Sequence, residues 1–303
     1  MSDLDIMDGL LSIHSRQLIR QRSRVIRTGD REAVHDLRVA TRRLQEVIDF
    51  CGDALPHRPA RRLARRARRI RRELGPLRNS DVLRELVARF SKELNATQRR
   101  SLAPVERGLA SDAATLRRPG DKDGARGTRK GDARMKAPGV RKRIQALRRG
   151  PRLPASFSLR KRASEVLEDR TVTLEAALWE ARTGRPAALH ALRIRIKRYR
   201  YALEILARAG IRKARPAIVS ARSAQTSLGE VHDLDVFLEL LRHRKPSASG
   251  RALIRLFTQR RRQMKDTAVA ALASFEPRRI TGTLLAAISK TGKSSKTRKG
   301  AAA

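Results

Sequence analysis

The chain has 303 residues, 40% hydrophobic but only 3% aromatic, which allows one large or two medium domains with a core of Leu, Ile, Val and Ala. Against 30 Asp and Glu stand 71 Lys and Arg, a net +41 that repels itself unless a polyanion neutralises it. A single cysteine, Cys51, excludes an internal disulfide framework and a cysteine-based zinc site, and no apolar run approaches the roughly 18 residues of a membrane span.

The N-terminal stretch is acidic and amphipathic where a signal peptide would be basic and then apolar, so a cytoplasmic protein with no membrane partner is expected. Apolar positions at Leu4, Ile6, Met7, Leu10, Leu11, Leu18, Val25 and Ile26 predict a first helix over 3–27, closed by Gly29. Asp30 starts a second helix that runs to about Cys51 and ends at Gly52. Pro56 and Pro59 open a third, which holds nine arginines between Arg58 and Arg72 around the apolar stripe Leu63, Ala67, Ile70 and Leu74. Gly75-Pro76 reads as its stop. Asn79 or Ser80 can cap a fourth helix over 81–94, and a fifth covers about 97–116.

Residues 1–116 are thus a first helical repeat. From 117 to 152 the chain is rich in Gly, carries 14 Lys and Arg against 3 Asp, and has almost no apolar periodicity outside 140–147, so it reads as a basic disordered linker. Residues 153–288 form a second repeat. Its helices are predicted over 157–183, from Pro186 to Ala209, over 212–227 with a stop at Leu228-Gly229, over 231–241, over 250–274, and briefly over 280–288. The tail, 289–303, is basic and low in complexity and reads as disordered. No β alternation is visible. The expected class is all-α, two helical bundles related by a pseudo-two-fold.

The second helix of each repeat carries the same motif, VHDLRVATRRL over 34–44 and LHALRIRIKRY over 189–199. In each, a histidine is followed by cations three and seven residues on: His35, Arg38 and Arg42, then His190, Arg193 and Lys197. That spacing puts all three on one stripe, roughly 125° from the apolar stripe of the same helix. Each helix can bury one face and hold imidazole and cationic groups beside it. His190 lies 155 residues after His35, while Gly229 lies 154 after Gly75 and Asp235 154 after Asp81. With the same shift Arg61 matches Arg215 and Arg68 matches Arg222.

Echoed cations therefore rank above unechoed ones. The candidate anion-binding set is His35, Arg38, Arg42, Arg43, Arg61, Arg65, Arg68, His190, Arg193, Lys197, Arg198, Arg200, Arg215 and Arg222. Arg62, Arg66, Arg69 and Arg71 read as a solvated face. His35 and His190 suit either ligand contact or bracing, and His14, His57 and His243 read as structural or surface residues. His232 is expected in a helix entry turn, and Asp81 and Asp235 at helix N-termini or paired with motif arginines. Gly75 and Gly229 are read as helix stops, and Cys51 as buried and inert.

These residues resemble the CHAD family, the conserved histidine α-helical domain. The resemblance rests on His35-x-x-Arg38 through Leu44, its copy His190-x-x-Arg193 through Tyr199, Leu74-Gly75-x-x-Arg78-Asn79-x-Asp81-Val82, and Leu228-Gly229-x-x-His232-Asp233-x-Asp235-Val236. It covers roughly residues 5–288. It implies two four-helix bundles around a basic central cavity, and a protein that binds inorganic polyphosphate and locates to polyphosphate granules. Asn79, where the second copy has Asp233, is a departure from the repeat.

Polyphosphate is a flexible chain of closely spaced charges without bases, and arginines suit it because they grip phosphate oxygens bidentately. DNA or RNA is the competing partner, since charge alone fits it equally well; the scarcity of aromatic residues for base stacking argues against it. The linker carries +11 and the tail +5, which leaves +25 of the +41 on the helical body. The linker and tail are expected to add at most weak, unspecific nucleic-acid attachment. No metal or other cofactor is expected, because the histidines lack ligand spacing and sit among cations. Nor is catalysis expected: no phosphate-cradling Gly-rich loop and no Gly-x-Ser-x-Gly stands out. Replacing Arg38 and Arg193 by alanine is expected to abolish polyphosphate binding without unfolding. Oligomeric state is not legible.

Overall fold

The computed structural model describes residues 3–117, 157–243 and 248–297, and their regular structure is helical throughout. Helix α1 spans Asp3–Thr28 and α2 spans Arg31–Cys51. Between them Gly29 takes φ 59°, and the Asp30 carboxylate accepts from the Ala33 backbone N–H at 2.6 Å, a side-chain cap on α2. Gly52 ends α2 at φ 56°, a left-handed conformation that favours glycine, and a Cβ there would sit 2.7 Å from Arg162 Nη2, so that side chain would have to shift.

Helix α3, His57–Glu73, passes into α4, Gly75–Ser91, through the single αR residue Leu74. Gly75-Pro76 therefore starts a helix where the sequence reading placed a stop. Proline in a first helical turn forfeits no hydrogen bond, since that N–H has no intrahelical acceptor. Asn79, Ser80 and Asp81 lie inside α4 and cap nothing at its start. Helix α5 is Ala96–Arg117.

In the second half, α6 is Leu159–Ala181, α7 Pro186–Arg208, α8 Ala214–Arg242, α9 Ala248–Ala273 and α10 Pro277–Thr297. The stop expected at Gly229 does not occur. An interior glycine costs a helix only about 1 kcal/mol, and burial of Leu228 and Val231 on either side holds α8 together. His232 and Asp235 consequently lie in mid-helix, not at an entry turn. Helix α10 also continues past Ile288, because a nucleated helix propagates through residues that contain no proline. The linker from 118 onward, with the apolar periodicity noted over 140–147, and the last residues, 298–303, lie outside the described residues.

Helices α2 and α7 pack on one another, α2 also on α1 and α3, and α7 on α6 and α8. One hydrophobic core runs through both halves, from Leu37, Leu44 and Phe50 of α2 to Leu192, Ile196 and Tyr199 of α7, with Leu63 and Ile70 of α3 and Leu167 and Leu174 of α6. At its edge the Asp3 carboxylate accepts from the Leu159 backbone N–H at 2.9 Å, tying the start of α1 to the start of α6. A second, smaller core joins α4 and α5 to α8 and α9, centred on Phe90, Phe237 and Phe257 with ring centroids 4.8–5.1 Å apart. Each half lends two helices to it, so the bundle boundaries do not follow the sequence repeat. The only tryptophan, Trp179, stays 69% exposed and belongs to neither core.

Cys51 is buried in the larger core, and that burial pushes its thiol up to about 12. The native protein should leave a thiol reagent unreacted at neutral pH and consume one equivalent after unfolding in guanidinium, followed by thiol titration. Rapid native labelling would contradict the packing at the end of α2.

Candidate functional site

Helices α2, α3, α6 and α7 enclose a groove of about 590 Å³. Seven arginines, Arg42, Arg68, Arg71, Arg162, Arg170, Arg195 and Arg198, line it together with Lys197, against the carboxylates of Glu46, Asp49 and Asp169. The amphipathic pattern explains the placement: residues on the apolar stripes of α2 and α7 are buried, which turns the adjacent stripes toward the space between the helices.

Part of this charge is already engaged. Arg162 Nε donates to the Phe50 carbonyl at 2.7 Å, near the C-terminus of α2, where cations are favoured. Arg170 pairs with Glu46 at 3.0 Å and also donates to the Arg198 carbonyl. Gln45 donates to Asp49 at 2.7 Å and accepts from Arg68 at 3.5 Å. Arg42, Arg71, Arg195, Lys197 and the Arg198 guanidinium make no side-chain hydrogen bond or ion pair among the described residues.

These cations act on one another. Burial first, then Arg42, Arg193 and Arg200, lower the Lys197 ammonium to about 7. Burial, then Arg42, Arg78 and Arg71, lower Arg38 to about 10. Arg71 and Arg193 are lowered mainly by burial, with Arg42 opposing their charge as well. Arg42 therefore stands at the centre of a group that positive charge already destabilises, and an entering anion relieves all of it together. Burial raises the Glu46 carboxyl, while Arg170 beside it acts in the opposite direction.

Behind the groove the first arginine of each motif meets a glycine. Arg38 Nη1 donates to the Arg71 carbonyl at 2.5 Å, and a Cβ on Gly75 would lie 3.9 Å from it. Arg193 Nε is buried with no hydrogen-bond partner among the described residues, and a Cβ on Gly229 would lie 3.5 Å from it. Asp233 stands near Arg193 and reaches Arg89 at 3.4 Å. The His190 and His232 rings lie 4.6 Å apart, tilted by 44°. His232 is lowered by burial, then by His190 and Arg193, while His35 is exposed and lowered by burial and then by Arg78.

Of the residues singled out in the sequence, Arg42, Arg68, Lys197 and Arg198 line the groove, and Arg38 and Arg193 stand beside them. Arg43 borders a separate small cavity with His14, whose imidazole burial, Arg208 and Arg43 lower to about 4. Arg200 is paired with Glu204, donates to Gln225 at 3.1 Å and stacks over Tyr201. Arg61, Arg65, Arg215 and Arg222 are exposed and outside the groove lining. An equal shift keeps two residues on one helix face without deciding which way that face points.

The converse error concerns Arg71, read as solvated but half-buried in the groove wall. Its spacing of three from Arg68 was the available signal. Arg162 and Arg170 on α6 carried none, because only the packing of α6 turns them inward. Asp235 pairs with Arg261 of α9 at 2.7 Å and not with a motif arginine, since α8 places it on the smaller bundle.

No described helix is long and apolar enough to cross a membrane. Among known proteins, the family model for the CHAD domain matches residues 9–242. The structure is similar to the crystal structure of the CHAD domain from the plant Ricinus communis, with 18% identity, a TM-score of 0.58, and 94% of this chain and 91% of that one covered. It is also similar to PptA from Streptomyces chartreusis, with 17% identity, a TM-score of 0.65, and 89% and 97% covered. No curated protein matches by sequence.

Proposed function

Because the chain belongs to the CHAD domain family, we propose that it binds inorganic polyphosphate in the groove between α2, α3, α6 and α7. The observation that carries this reading is the set of unpartnered cations, Arg42, Arg71, Arg195, Lys197 and Arg198, gathered around a centre that depresses its own members. A linear chain of phosphates supplies closely spaced negative charge from both sides of each linkage, which one small anion does not. Arg38 and Arg193 support the cluster, and His35 and His190, on the same stripes of α2 and α7 though outside the groove lining, would add hydrogen-bond donors. The protein acts by binding and not by catalysis, and the same affinity places it on polyphosphate granules in the cytoplasm.

Among the described residues, Tyr201 is the only aromatic one in the lining. Nucleic-acid binders of single strands stack bases on several aromatic platforms, so the groove favours a polyanion without bases. The deciding experiment is displacement of labelled long-chain polyphosphate at about 150 mM salt, within the physiological range of screening, by unlabelled polyphosphate, duplex DNA and single-stranded RNA at equal phosphate. Polyphosphate alone should displace; equal competition by the nucleic acids would replace this reading with general polyanion binding. Affinity should also fall steeply with salt, by about 10³–10⁵ between 50 and 200 mM if roughly 6–10 phosphates are neutralised, a slope whose order is taken from duplex DNA. A flat salt response would remove counterion release as the source of affinity.

A further inference from the structure

We propose that Lys197 is a site of covalent acylation by small acyl phosphates: the groove cations hold the phosphate while the Lys197 amine attacks the acyl carbon. Among the described residues, Lys197 is the only amine in the groove lining. It makes no ion pair or hydrogen bond among the described residues, so no carboxylate keeps it as an ammonium. Burial, then Arg42, Arg193 and Arg200, lower its ammonium to about 7, so a substantial share of the amine is free at neutral pH. A lysine whose proton is driven off by burial and cationic neighbours presents the free amine that attack requires, and is an activated nucleophile. Arg42, Arg195 and Arg198 line the same space and remain available for phosphate oxygens.

The step balances without an added reagent. The nitrogen–carbon amide bond forms, the bond between the acyl carbon and the phosphate oxygen breaks, and the departing phosphate takes the electron pair and the proton from nitrogen. The products are N-acyl-Lys197 and hydrogen phosphate. Acylation removes the amine that bound polyphosphate would otherwise protonate, so it lowers affinity for polyphosphate, and bound polyphosphate shields the amine. This regulatory consequence rests on the polyphosphate reading; the acylation itself rests only on the groove as an anion site.

The test treats the full chain with acetyl phosphate near neutral pH and follows each lysine by peptide mass spectrometry. Lys197 should acetylate about tenfold faster than the exposed Lys92, Lys161 and Lys213. A rate equal to or below theirs overturns the proposal. A parallel reaction with an uncharged activated acetyl ester should show a much smaller preference for Lys197. An undiminished preference overturns the role given to the phosphate. Long-chain polyphosphate added first should protect Lys197; fast acetylation without protection upholds the acylation site and strikes the polyphosphate reading alone.

Discussion

Replacing Arg42 and Lys197 together by alanine lowers polyphosphate affinity about a hundredfold or more at matched salt, since each charged hydrogen bond contributes about 1.5–3 kcal/mol and each 1.4 kcal/mol is tenfold. The fold survives, because neither side chain holds a partner among the described residues and both add like charge to a half-buried cluster. The melting temperature of the free protein should stay level or rise. Titration of fluorescent polyphosphate, with circular dichroism as the control, checks both halves, and unchanged affinity would remove the groove as the binding site. The pair suggested by the motif alone, Arg38 and Arg193, is a poorer test. Arg38 satisfies the Arg71 carbonyl near the end of α3, so Arg38→Ala leaves a backbone acceptor unpaired, at a cost of about 1–3 kcal/mol. Loss of binding in that variant would mix stability with recognition.

Polyphosphate binding weakens by about tenfold per pH unit above about 7, until the pH reaches the raised pKa of Lys197 in the complex. The sign follows from the group. In the free protein Lys197 gives up its proton near 7, whereas in the unfolded chain it holds it to the ordinary lysine value of 10.5. Across that window the unfolded chain binds more protons, so this residue makes the free protein more stable as pH rises. A bound polyphosphate chain, which lays several charges along the cluster, restores the charge, so each binding event above pH 7 takes up a proton, and affinity falls as protons become scarce. Lys197→Arg keeps the charge and should flatten the profile. Calorimetry in two buffers of different ionisation enthalpy would count the proton, and zero uptake at pH 8 would show that Lys197 does not meet the ligand. His35 and His232, both held below the usual imidazole range chiefly by burial, add charge only in more acid solution.

Element boundaries were most legible where local chemistry decides them. Asp30 and Gly52 bracket α2 because an aspartate cap and a left-handed glycine act within one turn of the chain. Gly75 and Gly229 misled for the opposite reason. Gly75 begins α4 and Gly229 lies inside α8, because packing against helices distant in the chain sustains those helices, and nothing in the adjoining residues records that packing. Spacing within one helix identified the stripe that carries Arg42 and Lys197. Ranking cations by their echo in the repeat selected Arg215 and Arg222, which face away from the groove, and passed over Arg71, which lines it.

By itself the sequence determined the all-α class, the ends of most helices, the family, and the two stripes of histidine and cation, because each of these depends on interactions between residues a few positions apart. Only the tertiary structure decided which cations meet. Helix α6 brings Arg162 and Arg170 into the groove wall, and the shared bundle of α4, α5, α8 and α9 draws Asp235 to Arg261. The direction in which a polar face points is fixed by where the opposite, apolar face finds its partner, and that partner lies far away along the chain.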